Sequence, residues 1–155
     1  MKRKNEKLIT DVEIDELDIN LVNELRINSR RSSRELAKAL KSHPATISNR
    51  IKKLINAGII KNFTVNLDYE KLGFEYIGII EIKVRSGSLL DVQRRIALNK
   101  NVIAVFDVTG ESDSIVIAIA KNRREFSSLV KGILGMKEVE RTNTHVCLNV
   151  VKLNI

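Results

Sequence analysis

The chain has 155 residues and a formal net charge of +8, with 43% hydrophobic and 30% charged residues. This length suits one domain or two small ones, and the composition excludes wholesale disorder. A single cysteine excludes an intramolecular disulfide, and one cysteine with two histidines cannot form a tetrahedral Cys/His zinc site. We therefore expect neither a metal nor a cofactor.

No apolar run approaches the roughly 20 residues that span a bilayer. The N-terminal residues are basic but lead into no long apolar segment, so no signal peptide is expected. These features predict a cytoplasmic protein without a membrane partner.

Positive charge is concentrated between Arg30 and Lys61, where nine basic residues accompany one acidic residue, Glu35. From Thr64 to Ile155 there are 13 basic and 11 acidic residues, which nearly cancel. A clustered basic stretch favours an anionic partner. It lacks the Trp or Phe that a membrane-binding helix would use, so nucleic acid is favoured over a lipid surface.

The N-terminal half predicts three helices after a flexible basic tail at residues 1–13. Asp15 can cap the first helix with Asp18 at its third position. Ser32 and Glu35 have the spacing of a capping box that opens the second helix. Pro44 suits the first position of the third helix.

The third helix should bury an apolar stripe and end at a left-handed Gly58. The stripe comprises Ile47, Ile51, Leu54 and Ile55. Two helices joined by a short turn, the second strongly basic, predict a helix-turn-helix.

The C-terminal half alternates between β-branched runs and amphipathic helices after an extended connector at Ile59–Leu67. Strands are predicted at Tyr76–Val84, Val102–Thr109, Ser114–Ala120 and Val139–Leu153, the last bent near Asn143. Helices begin after Ser88 and after Asn122, where Asn122 and Glu125 have capping-box spacing. The order βαββαβ predicts a ferredoxin-like domain.

Several short motifs occur in a specific order along this chain. They are Leu17-Asp18, Ser33-Arg34-Glu35-Leu36-Ala37, Thr46 to Leu54, Ala57-Gly58-Ile59-Ile60-Lys61, Leu67 to Gly73, Val108 to Asp113, and Val139 to Thr144. With the element order, they resemble the Lrp/AsnC, or feast/famine, family of prokaryotic transcription regulators. Two residues depart from its pattern: His43 replaces the usual serine cap of the recognition helix, and Ser112 replaces a larger residue.

The resemblance implies an α+β protein with an N-terminal three-helix helix-turn-helix (winged-helix-like) domain, an extended hinge strand and a C-terminal ferredoxin-like domain. The expected bounds are 14–59 for the first domain, 60–73 for the hinge and 74–155 for the second domain.

The third helix supplies most of the residues predicted to contact double-stranded DNA. Asn49 can pair with adenine and Arg50 with guanine, whereas lysines are better suited to phosphates. The full predicted set is Ser32, Ser33, Lys38, His43, Ala45, Thr46, Ser48, Asn49, Arg50, Lys52 and Lys53.

The resemblance also implies that the second domains pair through their sheets into dimers or larger oligomers. An amino-acid-like effector would bind near the turn formed by Gly110, Glu111, Ser112 and Asp113. There Asp113 can hold an amino group, and exposed amides can bind a carboxylate. An ordinary hairpin turn would use the same residue types.

The ferredoxin-like fold also occurs in RNA-binding modules and enzymes. The Ser114–Ala120 run has no aromatic residue for base stacking, which disfavours an RNA module. Cys147 and His145 are the only candidates for nucleophilic chemistry, and we expect them on opposite faces of the last strand. Cys147 is more typical of a buried small hydrophobe, so no enzyme is expected.

The sequence therefore predicts a sequence-specific DNA-binding transcription regulator, cytoplasmic and nucleoid-associated. The alternatives are a sequence-tolerant protein that packages DNA, and a ligand-binding ferredoxin-like domain with basic anchor heads.

Overall fold

A computed structural model describes residues 12–85 and 87–153. The chain divides into two compact units, one ending at Val65 and the other starting at Asn66. Apart from Val12 and Glu13, the predicted basic tail lies outside the described residues. Within the described ranges, no helix has the length and apolar character needed to cross a bilayer.

The first unit contains three helices: α1 (Glu16–Ile27), α2 (Ser33–Ala39) and α3 (Pro44–Asn56). Asp15 caps α1 as predicted, and Asp18 completes a capping box with it. Ser32 and Glu35 form the predicted capping box of α2. Pro44 is the first residue of α3, where its missing N–H has no helical partner to lose.

The helices of this unit enclose a small apolar core. Its buried members are Leu21, Leu25, Leu36, Ala37, Ile47 and Leu54. Gly58 ends the segment after α3 with a φ of 70°, as predicted. Ile55 is 43% exposed, so its prediction as a buried residue is wrong. It follows Leu54 by roughly 100° around the helix, which turns its side chain away from the core.

The second unit has the element order β1 (Tyr76–Val84), α4 (Leu89–Ala97), β2 (Val102–Asp107), β3 (Ser114–Ala120), α5 (Arg123–Leu134) and β4 (Val139–Val146). The strands form one antiparallel sheet in the order β2-β3-β1-β4. Val92 of α4 and Leu129 of α5 pack in one core with Ile80, Ile82 and Val116 of the sheet. Both helices therefore cover the same face, which confirms the ferredoxin-like domain.

Strands β2 and β4 are shorter than predicted, because the strands that pair with them, β3 and β1, extend no further. Asp107 pairs with Ser114, the first residue of β3, so β2 stops before Thr109. Beyond β4, the Cys147 N–H donates to the Ile77 carbonyl at 2.8 Å, and β1 begins at Tyr76. Residues 148–153 therefore extend past the start of β1 and have no strand of this sheet to pair with.

The predicted hinge strand is not a strand of this sheet. Residues 61–68 belong to no helix or strand, and the sheet consists of β1 to β4 alone among the described residues. The segment was predicted as extended from its alternating apolar residues. That alternation specifies an amphipathic segment but supplies no partner for its backbone groups.

The capping box predicted at α5 is half formed. The Asn122 side chain accepts a hydrogen bond from the Glu125 N–H at 2.9 Å. The Glu125 carboxylate instead accepts from the Lys121 N–H at 2.9 Å and from Asn101 Nδ2 at 2.7 Å. Glu125 thereby joins α5 to the start of β2 rather than closing the box.

Candidate nucleic-acid interface and effector site

The turn between α2 and α3 sets the direction of the basic third helix. Lys41 follows α2 with a φ of 49°, and the Ser42 N–H donates to the Ala37 carbonyl at 2.9 Å. This is the bond of a Schellman motif, with lysine at the left-handed position that usually carries glycine. His43 Nδ1 then accepts a long 3.4 Å bond from the Ala45 N–H at the start of α3.

The first turns of α3 present small and polar side chains to solvent. Ala45, Thr46 and Asn49 are exposed, and Ser48 is half-buried. The buried side chains of Ile47 and Leu54 hold the opposite side of the helix in the core. This is the arrangement that a recognition helix needs, with its N-terminal residues free to reach base edges.

Asp18 is the most deeply buried charged group at this site, with 0% exposure. Its Oδ1 lies 2.9 Å from Arg50 Nη1, and its Oδ2 lies 2.7 Å from Lys53 Nζ. Arg50 Nη1 is also 2.7 Å from Asp15 Oδ2, and Lys53 donates to the Glu13 carbonyl at 2.6 Å. Two cations of α3 are thus bound to the N-terminal turn of α1.

The pKa values of these carboxyls are lowered by the same contacts. Burial alone would raise the pKa of Asp18, but the hydrogen bonds from Lys53 and Arg50 outweigh it, so its pKa lies below the ordinary value. The Asp18 N–H and then Arg50 lower the pKa of Asp15. The pKa of Arg50 is raised by Asp18 and Asp15 in turn.

The residues predicted to contact DNA therefore divide into two groups. Lys38 and Lys52 are exposed and form no ion pair within the described chain. Arg50 and Lys53 are half-buried and form ion pairs with carboxylates, although the sequence predicts them on the outward face of the helix. The N–H and hydroxyl of Ser32, another predicted DNA-contact residue, both donate to Glu35.

The candidate effector turn is tied to neighbouring strands. Asp113 Oδ1 is 2.8 Å from Lys83 Nζ, and its Oδ2 accepts from the Val84 N–H at 2.8 Å. Lys83, followed by that N–H, lowers the pKa of Asp113. An effector amino group would have to compete with Lys83 for this carboxylate, which the sequence did not anticipate.

The rest of the turn leaves its backbone more accessible. Gly110 has a φ of 119°, a conformation that other residues rarely adopt. Glu111 pairs with Arg141 at 2.8 Å, and the Ser112 hydroxyl contacts Glu81 at 3.3 Å. Among the described residues, no backbone hydrogen bond is made by the N–H groups of Gly110, Glu111 or Ser112.

The sheet face opposite the two helices carries an apolar strip. Because side chains alternate along a strand, burial of Ile80 and Val116 against the helices places Ile79 and Ile117 on the other face. Ile115 and Phe106 are paired in register on that face, and Phe106 is 45% exposed. Described charged residues border the strip on β1 and β4: Glu81, Lys83 and Arg141.

Residues two apart in an extended chain share a face. The expectation that His145 and Cys147 lie on opposite faces of the last strand is therefore wrong. His145 Nε2 lies 3.4 Å from Glu81 Oε1 and 3.1 Å from Asn143 Nδ2, and Cys147 lies beyond the end of β4. Neither residue contacts the other in the bonds found among the described residues.

Comparison with known proteins decides the family. Residues 14–55 match the model of the AsnC-type helix-turn-helix domain, and residues 77–154 match that of the Lrp/AsnC ligand binding domain. The chain belongs to the Lrp/AsnC family. It is a helix-turn-helix transcription regulator of this type, as the sequence predicted.

Its relatives include archaeal Lrp/AsnC regulators. It is 48% identical to an HTH-type transcriptional regulator of Pyrococcus furiosus over 91% of this chain and 95% of the relative. It is 31% identical to the regulator FL11 of Pyrococcus horikoshii, over 91% and 93%. A solved regulator from Neisseria meningitidis, crystallised with L-Met, has the same fold, with a TM-score of 0.82, 23% identity, and coverage of 91% and 94%.

In this Lrp/AsnC regulator, sequence reasoning identified Asp18 as a helix-capping residue and missed its contacts with α3. The signal was present as two acids at the start of α1 and two cations three residues apart on α3. Only the packing of the two helices brings these groups together.

Proposed function

We propose that this Lrp/AsnC regulator reads specific DNA sequences through the exposed N-terminal half of α3. The observation that carries the proposal is the contrast along this helix: Asn49 is exposed and unpaired by any carboxylate, whereas the adjacent Arg50 is bound to Asp15 and Asp18. Asn49 can form a bidentate pair with adenine, and Thr46 and Ala45 can contact thymine methyl groups. Arg50 and Lys53 then act as positioning residues.

Phosphate contacts would come from exposed groups around the recognition helix. Lys38 and Lys52 are free to approach the backbone, and Ser33, His43 and Ser48 lie at the ends and edge of the helix pair. Phosphate contacts fix the register of the protein on the duplex but do not read its sequence. Binding should therefore combine a salt-dependent general affinity with discrimination by Asn49 and its neighbours.

We further propose that the chain dimerises through the apolar strip of the sheet. Ile79, Ile117 and Phe106 would be covered by the same face of a second copy, because an isologous interface places one patch against itself. Two recognition helices would then read half-sites about 34–36 Å apart, or a multiple of that spacing, on a pseudo-palindromic site.

An amino-acid-like effector is proposed at the Gly110–Asp113 turn. The N–H groups of Gly110, Glu111 and Ser112 are suited to a carboxylate, and the Neisseria relative in complex with L-Met supports this ligand class. Effector binding would be coupled to assembly and thus to DNA affinity. A regulator with these properties would act in the cytoplasm, associated with the nucleoid.

The test compares three variants of the full chain on DNA from the gene's own upstream region and on random DNA, across a salt series. Asn49→Ala should reduce the preference for the upstream fragment by about tenfold, since a good base pair contributes roughly 1–3 kcal/mol of discrimination. Lys52→Ala should weaken binding to both DNAs equally and lower the slope of log affinity against log salt concentration by about one. Arg50→Gln should lower thermal stability together with binding.

Equal binding of both DNAs by the unaltered protein, with the same salt slope, would favour the packaging alternative. Loss of thermal stability in Asn49→Ala would contradict its assignment as a free reading residue. Absence of DNA binding even at low salt would reject the proposed interface.

A further inference from the structure

A second basic surface lies on the C-terminal domain, on the face of the sheet that carries the helices. It consists of Arg123, Arg124 and Lys131 of α5 with Lys100 of the turn between α4 and β2, and is termed here the α5 basic patch. All four side chains are exposed, and none forms an ion pair within the described part of the chain. The Ser127 and Ser128 hydroxyls lie between them.

The carboxylate nearest to the patch, Glu125, offsets only one of its four positive charges. Glu125 is the only acidic residue of α5, and its oxygens are occupied by Asn101 Nδ2 at 2.7 Å and the Lys121 N–H at 2.9 Å. Two other cations of this domain do have partners: Arg95 pairs with Glu138 and Arg141 with Glu111. The patch is therefore a local excess of charge rather than a mixed surface.

This excess has an energetic cost within the protein. Arg123 and Arg124 occupy the first two positions of α5, where the helix dipole is positive and acidic residues are favoured. Arg124, Ser128 and Lys131 follow at spacings of four and three residues, which places them on one side of the helix. A polyanion bound there would offset the unfavourable interaction of the two arginines with the helix dipole.

The shape and chemistry favour a phosphate backbone. An open groove of about 590 Å³ runs between α5 and the α4–β2 turn, and Lys100 and Arg124 line it. Glu125 and the apolar Leu129 also line the groove, so the cations and serine hydroxyls that suit phosphate oxygens lie along its edge. The patch has no exposed aromatic residue, since Phe126 is buried, so stacking of single-stranded bases is disfavoured.

We propose that the α5 basic patch is a second binding surface for duplex DNA, which contacts its backbone without reading sequence. This inference rests on the DNA binding proposed above and adds a contact from the domain assigned to ligand binding. Its occupant is the phosphate backbone of the DNA that the helix-turn-helix holds, or of a second segment of the same long duplex.

The test uses the full chain and a duplex of about 150 bp, long enough to bend toward a second surface. The patch variant combines Arg123→Gln, Arg124→Gln and Lys131→Gln. The control combines Arg85→Gln, Arg94→Gln and Lys137→Gln, which removes the same charge from exposed positions outside the patch. The measurement is the slope of log affinity against log salt concentration.

We expect the patch variant to lower the slope by up to about three, at roughly 0.9 per lost phosphate contact, and to lower affinity at least tenfold at low salt. The control should keep the slope within about one of the unaltered protein. Ser128→Lys, which adds a cation inside the patch, should increase the slope, a gain that misfolding cannot produce.

An unchanged slope in the patch variant, or an equal loss in the control, would overturn the inference. If the unaltered chain fails to bind DNA at all, the proposed function has failed instead. If it binds and Asn49→Ala loses discrimination while the patch variant behaves normally, only the second surface is rejected.

Discussion

Asp18 Oδ1 lies 2.9 Å from Arg50 Nη1, across 32 residues of sequence, and the Asp18 side chain has no exposure to solvent. The contact joins the first turn of α1 to the middle of α3. Because the same carboxylate also binds Lys53, it fixes both the position and the rotation of the recognition helix. The residues proposed to read bases are therefore oriented by a buried contact between α1 and α3.

Replacing Asp18 with asparagine should leave two cations of α3 without their buried counter-charge. We expect Asp18→Asn to lower the free energy of unfolding by about 3 kcal/mol, near the lower end for breaking a buried ion pair. The control is Asp91→Asn, whose 80%-exposed side chain pairs with Arg94 at 3.6 Å and should cost no more than about 0.5 kcal/mol. Urea denaturation measures both, and equal losses would contradict the assigned role of Asp18.

Acid should weaken this cluster in a defined direction. The pKa values of Asp15 and Asp18 are lowered in the folded state, so their contribution is complete above the unfolded value of about 3.9 and is lost as pH falls through the lowered values. Between pH 5 and pH 2 the unaltered protein should thus lose more stability than Asp18→Asn. The free energy of unfolding of both proteins is measured by urea denaturation at each pH. If it falls equally with pH in both, the pKa assignment is contradicted.

Lys41 holds a left-handed conformation that glycine adopts at lower cost. We expect Lys41→Gly to stabilise the protein by about 0.5–1 kcal/mol, after allowing for the greater entropy of glycine in the unfolded chain. The matched change Lys38→Gly, inside α2, should instead destabilise by about 1 kcal/mol. Thermal melting distinguishes the two, and destabilisation by both would show that the turn tolerates lysine without strain.

Gly78 permits the close approach of β1 to the Phe126 ring. A Cβ atom at this position would overlap the Phe126 ring at Cζ, so Gly78→Ala should destabilise by about 1–3 kcal/mol. Combining it with Phe126→Leu should cost less than the sum of the two single changes. Gly132→Ala on α5, where a Cβ meets open space, should stabilise by up to about 1 kcal/mol. Additive losses in the double variant would exclude the steric explanation.

The apolar strip of the sheet predicts the oligomeric state. Ile79→Lys places a charge at the centre of the proposed interface and should convert the dimer to a monomer in sedimentation experiments. Leu90→Lys is the control, because Leu90 is 60% exposed on α4, on the helical side of the sheet. If Leu90→Lys dissociates the dimer and Ile79→Lys does not, the interface lies on the helical side and the proposed interface is wrong.

Local chemistry made much of this architecture readable from the sequence. Helix caps, a proline at the first helical position and a left-handed glycine depend on neighbouring residues only. The structure confirms the predicted caps at Asp15 and Ser32, Pro44 at the start of α3 and the left-handed Gly58. The strand Ser114–Ala120 has the bounds predicted from its β-branched run. The order of elements and the motifs likewise sufficed to indicate the family.

The tertiary structure decided what depends on groups distant in sequence. The length of β4 follows from where β1 begins. Glu125 accepts from Asn101 instead of completing the capping box because the turn before β2 lies beside the first turn of α5. Arg50 has the chemistry of a guanine reader, and the packing of α1 on α3 places it in an ion pair with a buried carboxylate 32 residues earlier. Helical periodicity specifies which way a side chain points, whereas its partner is set by the packing of the helices, which no local pattern encodes.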